Sequence, residues 1–112
     1  MSAVTVLVIP PSGEPVDVEI DASLESLQHL VDGDIEQVTI FGDGGALIFN
    51  ADHRAKANLA PNPTATRLLH MAGGDPRDYI AGTVIVVGPS DGPITPPTPM
   101  ERAFVNEMRG DT

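Results

Sequence analysis

Apolar residues recur along this chain at a spacing of two more often than at helical spacing, and the pattern predicts a sheet. The longest such stretch is Ile80-Ala-Gly-Thr-Val-Ile-Val-Val87, rich in β-branched side chains and without charge. Ile80, Val84 and Val86 fall on one face of its pleat, and Ala81, Ile85 and Val87 on the other. A strand apolar on both faces needs cover on both and neighbours at both edges, so it is read as the central strand. Gly88-Pro89 ends it, because proline cannot donate to a ladder. Ala3–Ile9 has the same two-faced character, with Val4, Val6 and Val8 alternating with Thr5, Leu7 and Ile9. Pro10-Pro11-Ser12-Gly13 then reads as a turn. Val16-Asp-Val-Glu-Ile20 follows at strict period two, with Asp17, Glu19 and Asp21 on the opposite face, as suits a half-exposed edge strand.

The period then changes. Ser23 is placed to cap a short helix, Glu25 lies in its first turn, and Leu24, Leu27, Leu30 and Val31 share one face. Gly33 is the expected stop. Ile35–Phe41 predicts a third strand, Gly42-Asp43-Gly44-Gly45 a tight turn and Ala46–Asn50 a fourth strand, so the pair reads as a hairpin. From Ala51 to Asp78 the pattern is irregular. Thr64–Met71 fits a short helix with Leu68 and Leu69 inward, broken by Gly73-Gly74-Asp75-Pro76. Beyond Gly88, Pro89, Pro93, Pro96, Pro97 and Pro99 predict an extended linker. Met100–Arg109 then fits an amphipathic helix with Met100, Phe104, Val105 and Met108 on one side.

These elements give an α+β fold: a small mixed sheet of about five strands with one main helix, in β-grasp-like order (ββαββ-short helix-β). The first and last strands are expected side by side in the centre and parallel, the helix supplying the crossover. Residues 1–88 form the α+β domain, and 89–112 a Pro-rich linker with a short C-terminal helix. One helix covers one sheet face only. The second face calls for the Ala51–Asp78 segment, the tail helix or a second copy of the chain, so a homodimer through that face or through the tail helix is among the expectations.

Charge sharpens this picture. The net charge is −10, and the first 53 residues carry ten carboxylates and no Lys or Arg. Such a field repels phosphate backbones, so direct nucleic-acid binding is not expected, while a basic partner is favoured. With no cysteine, disulfides, thiolate metal sites and Cys nucleophiles are excluded. No apolar run approaches the roughly 18 residues of a membrane span. Met-Ser-Ala-Val-Thr lacks the charged start and cleavage site of a signal peptide, so the chain reads as cytoplasmic.

Several stretches form a recognisable series: Val6-Leu-Val-Ile-Pro-Pro11, Ile20-Asp-Ala-Ser-Leu-Glu-Ser-Leu-Gln-His-Leu-Val-Asp-Gly33, Ala46-Leu-Ile-Phe-Asn50, Asn58-Leu-Ala-Pro-Asn62, and Ile80-Ala-Gly-Thr83 running into Val84-Ile-Val-Val-Gly88. Over roughly residues 3 to 88 the series resembles a small uncharacterised domain family of phages, conjugative plasmids and bacteria, including actinobacteria. In that family the Pro-Asn pair is usually followed by Arg, where this chain has Pro63, so any role of that Arg finds no counterpart here. The resemblance implies a phage or mobile-element origin, accessory or host-directed work in the host cytoplasm, and no established activity.

Candidate chemistry is sparse. Asn50, Asp52, His53, Asn58 and Asn62 could converge near the loop between the fourth and fifth strands and hold a nucleotide or other small ligand through amide hydrogen bonds. Asparagine in loops more often satisfies backbone groups. His29, His53 and His70 lack metal-ligand spacing, and Asp32-Gly-Asp-Ile-Glu36 has the wrong spacing for a calcium loop, so no metal and no cofactor is expected. Gly42-Asp-Gly-Gly45 lacks the Lys and Ser/Thr of a phosphate loop, and no serine sits in a nucleophile-elbow motif. The reading is a non-enzymatic interaction protein. It binds a host or phage protein through an acidic surface drawn from Asp17, Glu19, Asp21, Asp32, Asp34 and Glu36. A nucleotide-binding module or sponge is the alternative, and a DNA-mimic inhibitor a further one.

Overall fold

The computed structural model describes residues 3–12, 14–56, 58–90 and 92–109. Gly13, expected in the first turn, and residues 110–112 of the tail lie outside them. In chain order the elements are β1 (Ala3–Ile9), β2 (Val16–Asp21), α1 (Leu24–Val31), β3 (Ile35–Thr39), β4 (Ala46–Asn50), α2 (Pro63–Met71), β5 (Val84–Val87) and α3 (Pro99–Arg109). The result is a small α+β fold. Its five strands form one sheet in the order β2-β1-β5-β4-β3.

The two apolar strands lie side by side in the middle, as their two-faced pattern requires. Leu7, Ile9, Val84 and Val86 turn to one face with Ile80, while Val6, Val8, Ile85 and Val87 turn to the other. Val84, Ile85 and Val86 are all 0% exposed, and each full burial contributes about 1.5–3 kcal/mol. The expected parallel pairing is corrected. β1 and β5 are antiparallel, with Leu7 opposite Val86, and all four pairings in the sheet are antiparallel rather than mixed.

The reason lies in residues 51–83. This excursion leaves the end of β4 and returns at the same end of the sheet, because its two limbs are tied together. Pro61 bridges Ala81, the Asn62 N–H donates to the Ile80 carbonyl at 2.8 Å, and the Gly82 N–H donates to the Ala60 carbonyl at 2.8 Å. Ile80–Gly82 therefore pairs outside the sheet, and β5 begins only at Val84. The crossover does belong to α1, as expected, and it carries the chain from one edge strand, β2, to the other, β3.

Helix α1 covers one face through Leu27 and Val31, with Leu30 partly buried. Ser23 caps it as expected, its Oγ accepting from the Ser26 N–H at 3.2 Å. The stop is more specific than the glycine signal implied. Asp32 takes the left-handed conformation at φ 64° and Gly33 follows at φ 150°. A Cβ at Gly33 would lie 2.8 Å from Asn50 Nδ2, which makes glycine a packing requirement there.

The second face is covered by α2 and α3 together. Ala65 and Leu68 of α2 and Val105 of α3 are each 0% exposed in the same cluster as Phe41 and Phe49. The Phe41 and Phe104 rings lie 6.1 Å apart. Within one chain, then, both faces of the central strands are already packed. Among the described residues no helix is long and apolar enough to cross a membrane.

Leu68→Ala removes a fully buried side chain from the α2–α3 layer and lowers stability by about 2–5 kcal/mol in urea denaturation. Leu24→Ala, at a position 56% exposed, stays within about 0.5 kcal/mol of the wild type.

Candidate functional site

The excursion between β4 and β5 does gather the polar residues singled out in the sequence, but it points most of them inward. Asn50 is 1% exposed. Its Nδ2 donates to the carbonyls of Val31 at 3.1 Å and Asp32 at 3.0 Å, and its Oδ1 accepts from the Asp52 N–H at 2.7 Å. It caps the C-terminal end of α1, where helical carbonyls otherwise lack partners. Lys56 Nζ joins it on the Asp32 carbonyl at 2.8 Å.

Asn62 is 0% exposed. Its Nδ2 donates to the carbonyls of Ile9 and Gly82, each at 2.9 Å, and its Oδ1 accepts from the Ala65 N–H at 3.1 Å as the N-cap of α2. One amide thus joins the end of β1, the approach to β5 and the start of α2. Asp52 and Asn58 are exposed. The amides of Asn50 and Asn62 are satisfied by backbone, so the loop offers a ligand little free hydrogen-bonding capacity.

His53 is 7% exposed. Its Nδ1 accepts from the Ala81 N–H at 3.1 Å, which assigns the remaining proton of the neutral ring to Nε2. The ring sits edge-on to Phe49 at 5.2 Å and to Tyr79 at 6.1 Å. Burial, with the Arg54 charge adding to it, holds its pKa below the usual histidine range. Arg54 itself pairs with Asp78 at 2.8 Å, clamping the two limbs of the excursion. His70 Nε2 lies 2.8 Å from the Asp78 carbonyl. Among the described residues no three His, Cys, Asp or Glu side chains form a metal-binding group.

The acidic residues have a different geography. All ten early carboxylate residues are exposed, but their two clusters stand at opposite edges of the sheet. Asp17, Glu19 and Asp21 lie on β2. Asp32, Asp34 and Glu36 lie at the α1–β3 corner, four strand spacings away, roughly 19 Å. Five cations face a partner within the chain: beside Arg54 and Lys56, they are Arg67, Arg77 and Arg102. Arg102 pairs with Asp17 at 2.8 Å, Arg77 with Asp75 at 3.0 Å, and Arg67 Nη1 donates to the Met108 carbonyl at 2.7 Å. Among the described residues Glu19, Asp21 and Glu25 make no ion pair.

Those three carboxylates border an open groove of about 420 Å³ between β2 and α1. Its remaining lining is Ile20, Ser26, His29 and Leu30. Partly buried Ile20 and Leu30 give it an apolar floor. The sequence pattern placed β2 at an edge and Leu30 on the helix face. It did not bring Glu25 across to Glu19 and Asp21.

The buried acid that the sequence pattern did not single out is Glu101. It is 0% exposed in a chain whose other described acids lie at the surface or partly covered. The available signal was local: Thr98-Pro-Met-Glu101 has the spacing of a capping box, in which the acid reaches back to the helix start.

Residues 4–108 match the model of a family described as a domain of unknown function, DUF3846. No curated protein and no solved structure matches the chain.

Asn62→Ala leaves the Ile9 and Gly82 carbonyls and the Ala65 N–H without their side-chain partner and destabilises by about 2–4 kcal/mol, whereas Asn58→Ala at the exposed position changes little. Because the folded His53 prefers the neutral ring, its contribution to stability is present above its unfolded value and is lost as pH falls through the folded one. A nitrogen-15 titration of the imidazole checks this, with the neutral form protonated at Nε2 and the midpoint below that of a free histidine.

Proposed function

We propose, from the premise that the chain belongs to the DUF3846 family, that it is a non-catalytic binding module for a basic segment of a partner protein. The observation that carries this is the groove between β2 and α1: an apolar floor of Ile20 and Leu30 beneath the carboxylates of Glu19, Asp21 and Glu25, which make no ion pair among the described residues. An apolar floor with charge on one rim favours a segment that alternates basic and apolar residues, the apolar ones entering the groove and the basic ones meeting the rim. β2 is also an edge strand, with one side of its ladder open, so an extended partner can lie along it.

The net charge of −10 speeds encounter with such a partner. The resemblance to phage and mobile-element domains fits accessory work on a host or phage protein in the host cytoplasm. The small-ligand reading draws less support, because the amides it needs already cap α1 and α2.

The test is a panel of synthetic peptides alternating Lys or Arg with Val, Leu or Ile, titrated by fluorescence anisotropy and mapped by amide chemical shifts. Binding is expected at low salt, weakening steadily as salt rises, with shifts along β2 and α1. Reversing Glu19, Asp21 and Glu25 to Lys weakens it by about tenfold or more, while reversing Asp32, Asp34 and Glu36 at the far edge changes it by about twofold or less. No binding by any peptide, or shifts centred on β3, overturns the reading.

A further inference from the structure

Where α3 meets the β3–β4 turn, two carboxyl groups face each other inside a capping box. Thr98 N–H donates to Glu101 Oε1 at 2.8 Å, and Glu101 N–H donates to Thr98 Oγ1 at 3.3 Å. Thr98 Oγ1 donates in turn to Asp43 Oδ2 at 3.2 Å, while Asp43 Oδ1 accepts from the Gly45 N–H at 3.0 Å. Glu101 Oε2 is left over. It is buried, no donor reaches it, and it is the one such side-chain atom among the described residues. Gly45 makes room for it, because a Cβ there would overlap the Glu101 carboxyl group. The Asp43 carboxyl group is within hydrogen-bonding reach of the Glu101 carboxyl group.

An unpaired acceptor buried beside another carboxylate is unfavourable on both counts. One proton resolves both, since a protonated Glu101 carboxyl group becomes a donor to Asp43. Asp43 is exposed and already accepts two hydrogen bonds, so it is the member that keeps the charge. Among the described residues no cation faces the pair: Arg102, next along α3, turns to Asp17.

We propose that Glu101 and Asp43 form a proton-operated latch, in which one shared proton pins the start of α3 to the β3–β4 turn and its loss releases that end of the helix. Loss of the proton sets two anions against each other with Oε2 unsatisfied in the interior. The chain relieves this by moving Glu101 toward water, which undoes the capping box. Because Arg102 holds Asp17, release also frees one carboxylate of the β2 edge. That last consequence rests on the binding reading; the latch itself does not.

Burial first, and the neighbouring Asp43 second, push the Glu101 carboxyl group up to about 7, and the bond to Glu101 holds Asp43 below the usual carboxylate range. The folded chain therefore holds the Glu101 proton more tightly than the unfolded chain. Its stabilising effect is fully present below the unfolded value and is lost as pH rises through the folded one.

The test uses the full chain and no partner. Carbon-13 titration of the side-chain carboxyl groups is expected to find Glu101 changing state near neutrality, at about 7, with Asp43 ionised throughout. Over about pH 5.5 to 8.5, α3 amides lose hydrogen-exchange protection relative to β5 amides, after correction for intrinsic rates. Glu101→Gln keeps the capping geometry and supplies a permanent donor to Asp43. It makes α3 protection independent of pH over that range and raises the melting temperature above wild type on the alkaline side. If Glu101 titrates with the ordinary carboxylates, or if wild-type α3 behaves as the variant does at every pH, the latch is wrong. Should the variant not fold, the wild-type carboxyl titration decides alone. Failure of the peptides to bind leaves the latch standing, and the reverse holds too.

Discussion

Two strands that are apolar on both faces lie next to each other, and neither can meet water on either side. β1 and β5 bury side chains above and below the sheet, so each face has to be roofed by something apolar. The chain manages this with short helices, α1 on one side and α2 with α3 on the other. Much else follows from that demand. The excursion from 51 to 83 has to place α2 over one face and still return to the same sheet end. α3 reaches back across a proline-rich stretch to fill the remaining gap with Val105 and Phe104.

Short helices roofing a sheet bring polar ends close to the core, and side chains satisfy those ends. Asn50 serves the end of α1, Asn62 the start of α2, and Glu101 with Thr98 the start of α3. His53 is the same kind of device, taking an N–H from Ala81 where the chain pairs outside the sheet. These residues occupy the positions at which a ligand site would be sought, yet they connect segments far apart in sequence. Among the described residues only Glu101 leaves a buried side-chain atom without a partner, and that atom makes the start of α3 sensitive to protons.

The outside is arranged by sign. Arg54, Lys56, Arg67, Arg77 and Arg102 each lean on a partner inside the chain, so the negative field of the first half is left largely uncancelled. It is not one surface. The edge strands β2 and β3 separate the acids into two groups, and the β2 group borders an apolar groove. The proposed binding of a basic partner rests on that pairing of features rather than on the charge alone.

The residues of the chain determined much of this locally. Period-two runs marked β1, β2 and β5, Ser23 marked the start of α1, and the glycine cluster at 42–45 marked the hairpin between β3 and β4. The alternation of Val84–Val87 even assigned each side chain to its face. Such features depend on the nearest few residues and so are written in the string itself. Strand direction, the occupants of the second face and the fate of the polar residues were settled by contacts distant in sequence. The antiparallel β1–β5 pair depends on Pro61 meeting Ala81, and the inward turn of Asn62 depends on Ile9 and Gly82. The burial of Glu101 depends on a missing side chain at Gly45. No local pattern encodes those meetings, because each is decided by which distant groups need a partner once the sheet has closed.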